Sequence, residues 1–126
     1  MLAHVSIGVS DLPRAKQFYD ATLEPLGFRC IRAARSLTGW GYGRETIGFW
    51  LTLAERPVPA DEKSGLHFCF TASSPEAVDA FHAAALRAGG RDNGAPGPRP
   101  RYGSDYYAAF VVDPEGYRIE AFYGRE

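Results

Sequence analysis

The sequence of 126 residues lacks long apolar runs and an excess of basic side chains. No window approaches the ~20 apolar residues that span a bilayer. The N-terminus also lacks the basic segment followed by an apolar one that is typical of a signal peptide. Fourteen Lys and Arg stand against fifteen Asp and Glu, so the basic surface that attracts nucleic acid or anionic membranes is missing. We expect a cytoplasmic protein that binds no nucleic acid and no membrane, and whose partner is a small molecule or a second copy.

Cysteine is also scarce, with Cys30 and Cys69 alone and no CxxC pair. This excludes a disulfide framework and argues against a thiolate zinc site, so we expect two ordinary buried thiols. An apolar share of 45% suffices for one core in a chain of this length. The expectation is a single domain over residues 1–126.

Hydrophobic periodicity predicts the same order of elements twice, strand, helix and three strands. In the first module, about 1–54, a strand over 4–9 precedes a helix capped by Asp11 and ended by Gly27, and strands follow at 28–34, 39–44 and 46–54. A linker at about 55–64 leads to the second module, about 65–126. The sequence predicts there a strand over 66–70, a helix capped by Ser74 that ends at Gly89-Gly90, a Gly/Pro-rich loop over 93–103, and strands at 106–113 and 118–123. Asp113–Gly116, between the last two strands, has the type I turn pattern.

Strand parity singles out two histidines and a glutamate. His4 and His67, which are 63 residues apart at equivalent places of the two modules, each lie on the face opposite a run of apolar residues, and Glu120 lies on the polar face of the last strand. If the polar faces point together, these side chains form a three-ligand site for a divalent metal with open positions. Taken singly, His4 is a surface residue, His67 a hydrogen-bonded core histidine and Glu120 a solvated strand residue. The equivalent placement of the two histidines favours the metal site.

The chain resembles the vicinal oxygen chelate superfamily of glyoxalases, bleomycin-resistance proteins and extradiol dioxygenases. The resemblance rests on His4, on Gly65-Leu-His67-Phe and on the segment from Tyr106 to Glu120. It implies an α+β fold of two βαβββ modules forming a cupped mixed β-sheet, and a metal held by His4, His67 and Glu120. Iron, manganese, zinc or nickel would suit this role.

The resemblance leaves two functions open. The first is a metal-dependent enzyme, glyoxalase-like or dioxygenase-like, acting on a small oxygen-bearing substrate, with no catalytic acid or base identified. Trp50 stands where glyoxalase I has a fourth ligand, which disfavours lactoylglutathione lyase, and the absence of a third inward histidine weighs against dioxygenase chemistry. The alternative is a metal-free protein that binds and sequesters a drug or metabolite.

Substrate contacts are expected from the loop over 95–103 and from the walls of the cup. An anionic substrate would pair with Arg99 or Arg101 while Tyr102 covers its apolar part, although the loop is equally compatible with a solvated connector. The candidate aromatic walls, which core packing would also explain, are Trp40, Trp50, Phe122 and one of Tyr106 or Tyr107, with Tyr107 preferred. Proteins of this size and resemblance commonly pair, and in some the cup draws ligands from both partners. We therefore expect a homodimer, although here all three ligands could come from one chain.

Overall fold

The first module begins with strand and helix and ends with three strands, as predicted. A computed structural model describes residues 1–125. The elements are β1 (Val5–Val9), α1 (Leu12–Leu23), a short 3-10 helix (Glu24–Leu26), β2 (Arg29–Ala33), β3 (Gly39–Gly43) and β4 (Ile47–Leu53).

The second module repeats this order after a short 3-10 helix in the linker. Its elements are the 3-10 helix (Glu62–Ser64), β5 (His67–Thr71), α2 (Pro75–Arg87), β6 (Arg91–Pro98), β7 (Tyr107–Val112) and β8 (Arg118–Tyr123). Within residues 1–125, no helix is long and apolar enough to cross a membrane.

The predicted helix caps form at the residues that the sequence indicates. The side chain of Asp11 accepts a hydrogen bond from the Arg14 amide at 3.0 Å, and that of Ser74 accepts one from the Ala77 amide at 3.1 Å. Gly27 ends the first helical segment with φ of 82°, a left-handed conformation that glycine adopts at little cost. These caps fix where each chain segment turns back to its sheet.

Each module forms its own four-stranded mixed sheet, with the orders β1-β4-β3-β2 and β5-β8-β7-β6. The α+β fold of two βαβββ modules is therefore confirmed. The expected cup is not one continuous sheet, because in the described part of the chain no ladder joins the two. Strands β1 and β5 each pair on one side only, with β4 and β8 respectively, and both pairings are parallel.

The two sheets share one hydrophobic core, which their apolar faces and the two helices enclose. Phe49 on β4 contacts Phe68 and Phe70 on β5, with ring centroids 6.3 and 5.3 Å apart. Since both apolar faces turn inward to this core, the polar faces point away from it. The expectation that the polar faces meet within one chain is not what the structure shows.

The β7–β8 turn ties the second module to the first. The Gly116 amide donates to the Asp113 carbonyl at 3.0 Å, which confirms the predicted turn. The hydroxyl of Tyr19 on α1 donates to Oδ2 of Asp113 at 2.5 Å, and the hydroxyl of Tyr117 donates to the Gly8 carbonyl at 2.6 Å. Burial raises the pKa of Asp113, although hydrogen bonds from Tyr19 and three backbone amides oppose the shift.

Strand β6 occupies part of the segment predicted as a loop, so the prediction of a loop over 93–103 is wrong in its first half. Pro96 and Pro98 lack an amide hydrogen, but β6 lies at the sheet edge, where one side of the strand needs no partner. Its register with β7 shifts on either side of Gly94, whose φ is 151°. The loop that remains runs from residue 99 to residue 106.

Candidate functional site

His67 and Glu120 lie together on the polar face of the second sheet. Parity turns both side chains away from the core, and Nε2 of His67 is 3.0 Å from Oε1 of Glu120. A carboxylate only accepts, so the imidazole N–H donates in this arrangement. The His67 side chain is 47% exposed and that of Glu120 only 5%, which makes Glu120 a buried carboxylate rather than a solvated strand residue.

Tyr106 holds the other oxygen of this carboxylate. Its hydroxyl donates to Oε2 of Glu120 at 2.5 Å, and its ring stacks on Phe122 with centroids 4.8 Å apart and planes 16° apart. Burial and then the bond to Glu120 raise the pKa of Tyr106 well above its usual value, so the hydroxyl stays protonated. Glu120 is thereby fixed with Oε1 directed at His67.

Tyr106, and not the preferred Tyr107, faces the site. Tyr107 is the first residue of β7 and points to the helix side, where its hydroxyl donates to Asp79 on α2 at 2.7 Å. Trp40 also lies on the core side, 4.8 Å below the ammonium group of Lys16 on α1. Phe122 faces the polar side as predicted, but it supports Tyr106 and lines a neighbouring hollow.

Cys69 lies on the same polar face, in register with Glu120 on the adjacent strand. It is exposed, and Cys30 is half-buried, so the expectation of two buried thiols is wrong. The alternation His67-Phe-Cys69-Phe already places Cys69 on the face of His67, which is the signal that sequence reasoning missed.

These side chains line an open cleft of about 630 Å³. The residues around it are His67, Cys69, Asn93, Arg101, Tyr102, Tyr106, Phe110, Arg118, Ile119 and Glu120. Arg101 and Tyr102 therefore lie where the sequence predicted, and Arg118 and Asn93 are additions. Arg99 is not among them, because its guanidinium folds back onto the carbonyls of Ala95 and Gly97, at 2.6 and 2.9 Å.

His4 and Trp50 lie on the first sheet, in a separate cleft of about 320 Å³. This cleft is also lined by Ser6, Arg32, Ala34, Arg35, Ser36 and Thr52. The guanidinium of Arg32 lies 5.3 Å from the Trp50 ring centre. The cleft faces away from the shared core, as the cleft around His67 does.

The structure brings together two of the three predicted ligands. Among residues 1–125, no three His, Cys, Asp or Glu side chains lie close enough to hold one metal ion. In the other neutral tautomer, with the proton on Nδ1, the separation of 3.0 Å between Nε2 of His67 and Oε1 of Glu120 suits two ligands at ~2.1 Å from one ion, which are ~3 Å apart at a right angle. One chain thus brings two of the predicted ligands together on one sheet and leaves His4 on the other.

The fold and the whole chain have known relatives. A model of the glyoxalase/bleomycin resistance protein/dioxygenase superfamily matches residues 1–121. The chain belongs to this superfamily. The resemblance seen in the sequence is therefore confirmed, while no functionally curated protein matches the chain.

Solved structures of the superfamily share the architecture. A glyoxalase/bleomycin resistance protein from Albidiferax ferrireducens T118 is 36% identical, with 99% of each chain covered and a TM-score of 0.83. A family enzyme from Burkholderia phytofirmans PsJN is 21% identical over 96% of each chain, with a TM-score of 0.74. The fosfomycin resistance protein FosX from Mesorhizobium loti is 17% identical, with 99% of this chain and 92% of that chain covered and a TM-score of 0.71. The last two similarities show the shared fold alone.

Proposed function

We propose that the protein is a divalent-metal-dependent enzyme of this superfamily that acts on a small oxygen-bearing substrate. The observation that carries the proposal is the pair of His67 and Glu120 at 3.0 Å, with the second carboxylate oxygen held by Tyr106. A neutral imidazole and an ionised carboxylate are ligands that iron, manganese, zinc and nickel accept. A tyrosine that fixes the carboxylate from behind is the kind of supporting hydrogen bond that metal ligands require.

The third ligand, His4, comes from a second copy in this proposal. Each chain presents His4 directly before edge strand β1, and it presents His67 at the start of edge strand β5 with Glu120 on the neighbouring β8. A two-fold pair that sets β1 of each copy against β5 of the other would complete two cups and two three-ligand sites.

A largely apolar groove that extends from β1 past the β3–β4 turn to β5 supports pairing. It has a volume of about 580 Å³ and is lined by side chains that include Val5 on β1 and Phe68 and Phe70 on β5. Exposed apolar surface along an unpaired strand edge is a liability in a monomer. Covering it with a second copy removes that liability and joins the half-sites.

The chain's own groups have separate roles in such a cup. A bound metal would act as a Lewis acid on substrate oxygens. His67 and Glu120 would bind it and Tyr106 would keep Glu120 in place, while Tyr102 lines the cleft beside Arg101 and packs edge-on against Tyr106. Trp50, next to His4, can neither bind a metal nor accept a proton, so lactoylglutathione lyase activity is disfavoured against other glyoxalase-like or dioxygenase-like reactions.

Metal content measured by elemental mass spectrometry tests the proposal. Untagged protein purified without chelator should hold close to one equivalent of a divalent metal, and His67→Ala should lose it. His82→Ala is the matched control, because His82 pairs with Asp92 on the helix side at 2.9 Å and should leave the metal in place. A wild-type protein that takes up none of the four metals would end the proposal.

A metal-free sequestering protein is the second candidate, and the apolar groove of about 580 Å³ is the observation that favours it. In that case the groove would hold an apolar ligand and would not be covered by a second copy. Light scattering separates the two candidates, since a monomer at high concentration that binds apolar dyes would support sequestration and remove the paired enzyme.

A further inference from the structure

Two arginines in the cleft around His67, Arg101 and Arg118, have no acidic partner among the described residues. Arg118 makes one long hydrogen bond, from Nη1 to the Glu62 carbonyl at 3.3 Å, and the Arg101 guanidinium lies 5.6 Å from the Tyr102 ring centre. Over residues 1–125, neither arginine forms an ion pair. Their positive charge is therefore available to a ligand.

Glu120 does not neutralise the charge of Arg101 and Arg118. It is the single carboxylate among the residues that line the cleft, and its two oxygens are engaged by His67 and Tyr106. Without a metal the cleft carries two arginines against one carboxylate, and a divalent cation would add to the excess. This local balance contrasts with the chain as a whole, whose net charge is −1.

The cleft around His4 also has an excess of positive charge. Arg32 and Arg35 line it, no carboxylate does, and the described part of the chain offers neither arginine an ion pair. In the pair proposed above, this face and the face of His67 would enclose one cup. That cup would hold four arginines and a single carboxylate.

We propose that the substrate of this site carries a phosphate-type oxyanion, which Arg101 and Arg118 bind. Guanidinium groups donate paired N–H bonds that match tetrahedral oxyanions, and clefts lined by charge of one sign attract ligands of the opposite sign. A dianion fits the excess of positive charge better than a carboxylate does. The inference rests on the proposed function for its use in catalysis, but binding of the anion itself does not depend on metal.

Arg99 is not part of this anion site. Its N–H groups already donate to the carbonyls of Ala95 and Gly97, and its guanidinium lies 5.4 Å from the Phe110 ring centre. It braces the irregular edge strand β6. The assignment of anion binding thus falls to Arg101 and Arg118, of which the sequence singled out only the first.

Calorimetric titration with inorganic phosphate at fixed ionic strength tests this inference, on metal-stripped and on metal-loaded protein. Arg101→Gln and Arg118→Gln should each weaken phosphate binding about ten-fold, as expected for loss of one charge-assisted contact. The matched control is Arg87→Gln, since Arg87 is exposed in the last turn of α2 and lines neither cleft. It should bind phosphate like the wild type.

The outcomes separate this inference from the proposed function. Phosphate binding that depends on both arginines in a protein without metal uptake would keep the anion site and end the metalloenzyme. The anion site alone would be overturned if the protein takes up metal but binds phosphate no more tightly than acetate, or no more tightly than a variant that carries both Arg101→Gln and Arg118→Gln. If Arg118→Gln does not fold, Arg101→Gln decides, because Arg101 is exposed in a turn.

Discussion

The hydroxyl of Tyr106 donates to Oε2 of Glu120 at 2.5 Å, while the other oxygen of that carboxylate lies 3.0 Å from His67. The two contacts assign a different task to each oxygen. Oε2 is held by the tyrosine, and Oε1 contacts His67 and is the oxygen that would bind the proposed metal. A buried carboxylate restrained in this way suits the proposed role of binding a metal through one oxygen.

Tyr106→Phe should therefore weaken metal binding by about 10- to 100-fold, the usual effect of removing a supporting hydrogen bond, while the stacking on Phe122 persists. Competition with a metal-binding dye measures the affinity. Tyr107→Phe is the control, since its hydroxyl bonds Asp79 on the helix side. Equal affinities of the two variants would show that the bond to Glu120 does not position the ligand.

Replacing Glu115 should loosen the contact between the modules. Its carboxylate accepts hydrogen bonds from the amide and hydroxyl of Ser10 at 2.9 and 3.1 Å and pairs with Arg14 at 3.1 Å. Because these partners are exposed, we expect Glu115→Ala to lower the free energy of unfolding by about 1 kcal/mol. Urea unfolding measures this free energy. The control is Glu45→Ala, because Glu45 lies in the β3–β4 turn and forms no ion pair among residues 1–125. An unchanged value for Glu115→Ala would mean that the turn does not stabilise the module contact.

The pH dependence of stability should reveal the buried carboxyl of Asp113. Its pKa in the folded state is raised from 3.8, chiefly by burial, so its contribution to stability is full below that value and is lost as pH rises through the folded pKa. Asp113→Asn cannot ionise. Wild type should lose stability relative to this variant as pH rises from about 3, in urea unfolding across a pH series. A relative gain by wild type over the same range would reverse the assigned sign.

Introducing a carboxylate into the cleft of His4 should alter the chemistry of the proposed two-chain cup. Trp50 lines the cleft of His4, and Trp50→Glu would supply a fourth ligand that also accepts a proton. We expect lactoylglutathione lyase activity to rise from background in this variant, while Trp50→Gln, which removes the ring without adding charge, stays inactive. A metal-loaded Trp50→Glu protein without any gain would contradict the placement of residue 50 next to the metal.

The sequence predicts local structure well because capping, turn chemistry and parity act over a few residues. Asp11, Ser74 and the Asp113–Gly116 turn lie where their short-range patterns place them. Parity also put His67 and Glu120 on one face. These statements concern a single element or two adjacent strands.

The remaining features depend on long-range packing. Parity states which face of a sheet a residue occupies but not how two sheets are turned relative to each other, so the separation of His4 from His67 could not be read from it. Pro96 and Pro98 favoured the prediction of a loop, but they lie in an edge strand, which tolerates proline on the side that has no partner strand. Tyr106 precedes the first residue of β7, and only the stacking on Phe122 fixes its ring toward Glu120.

In the proposed pair, each metal site draws His4 from one copy and His67 with Glu120 from the other. Mixing two inactive variants, His4→Ala and Glu120→Ala, through joint refolding tests it most directly by metal content. Each variant alone should hold no metal, whereas a mixed pair contains one site with all three ligands intact and one lacking two of them. Recovery of metal in half the sites of the purified mixed pair is the predicted result, and mixed pairs that stay empty while the wild-type protein binds metal would contradict the claim.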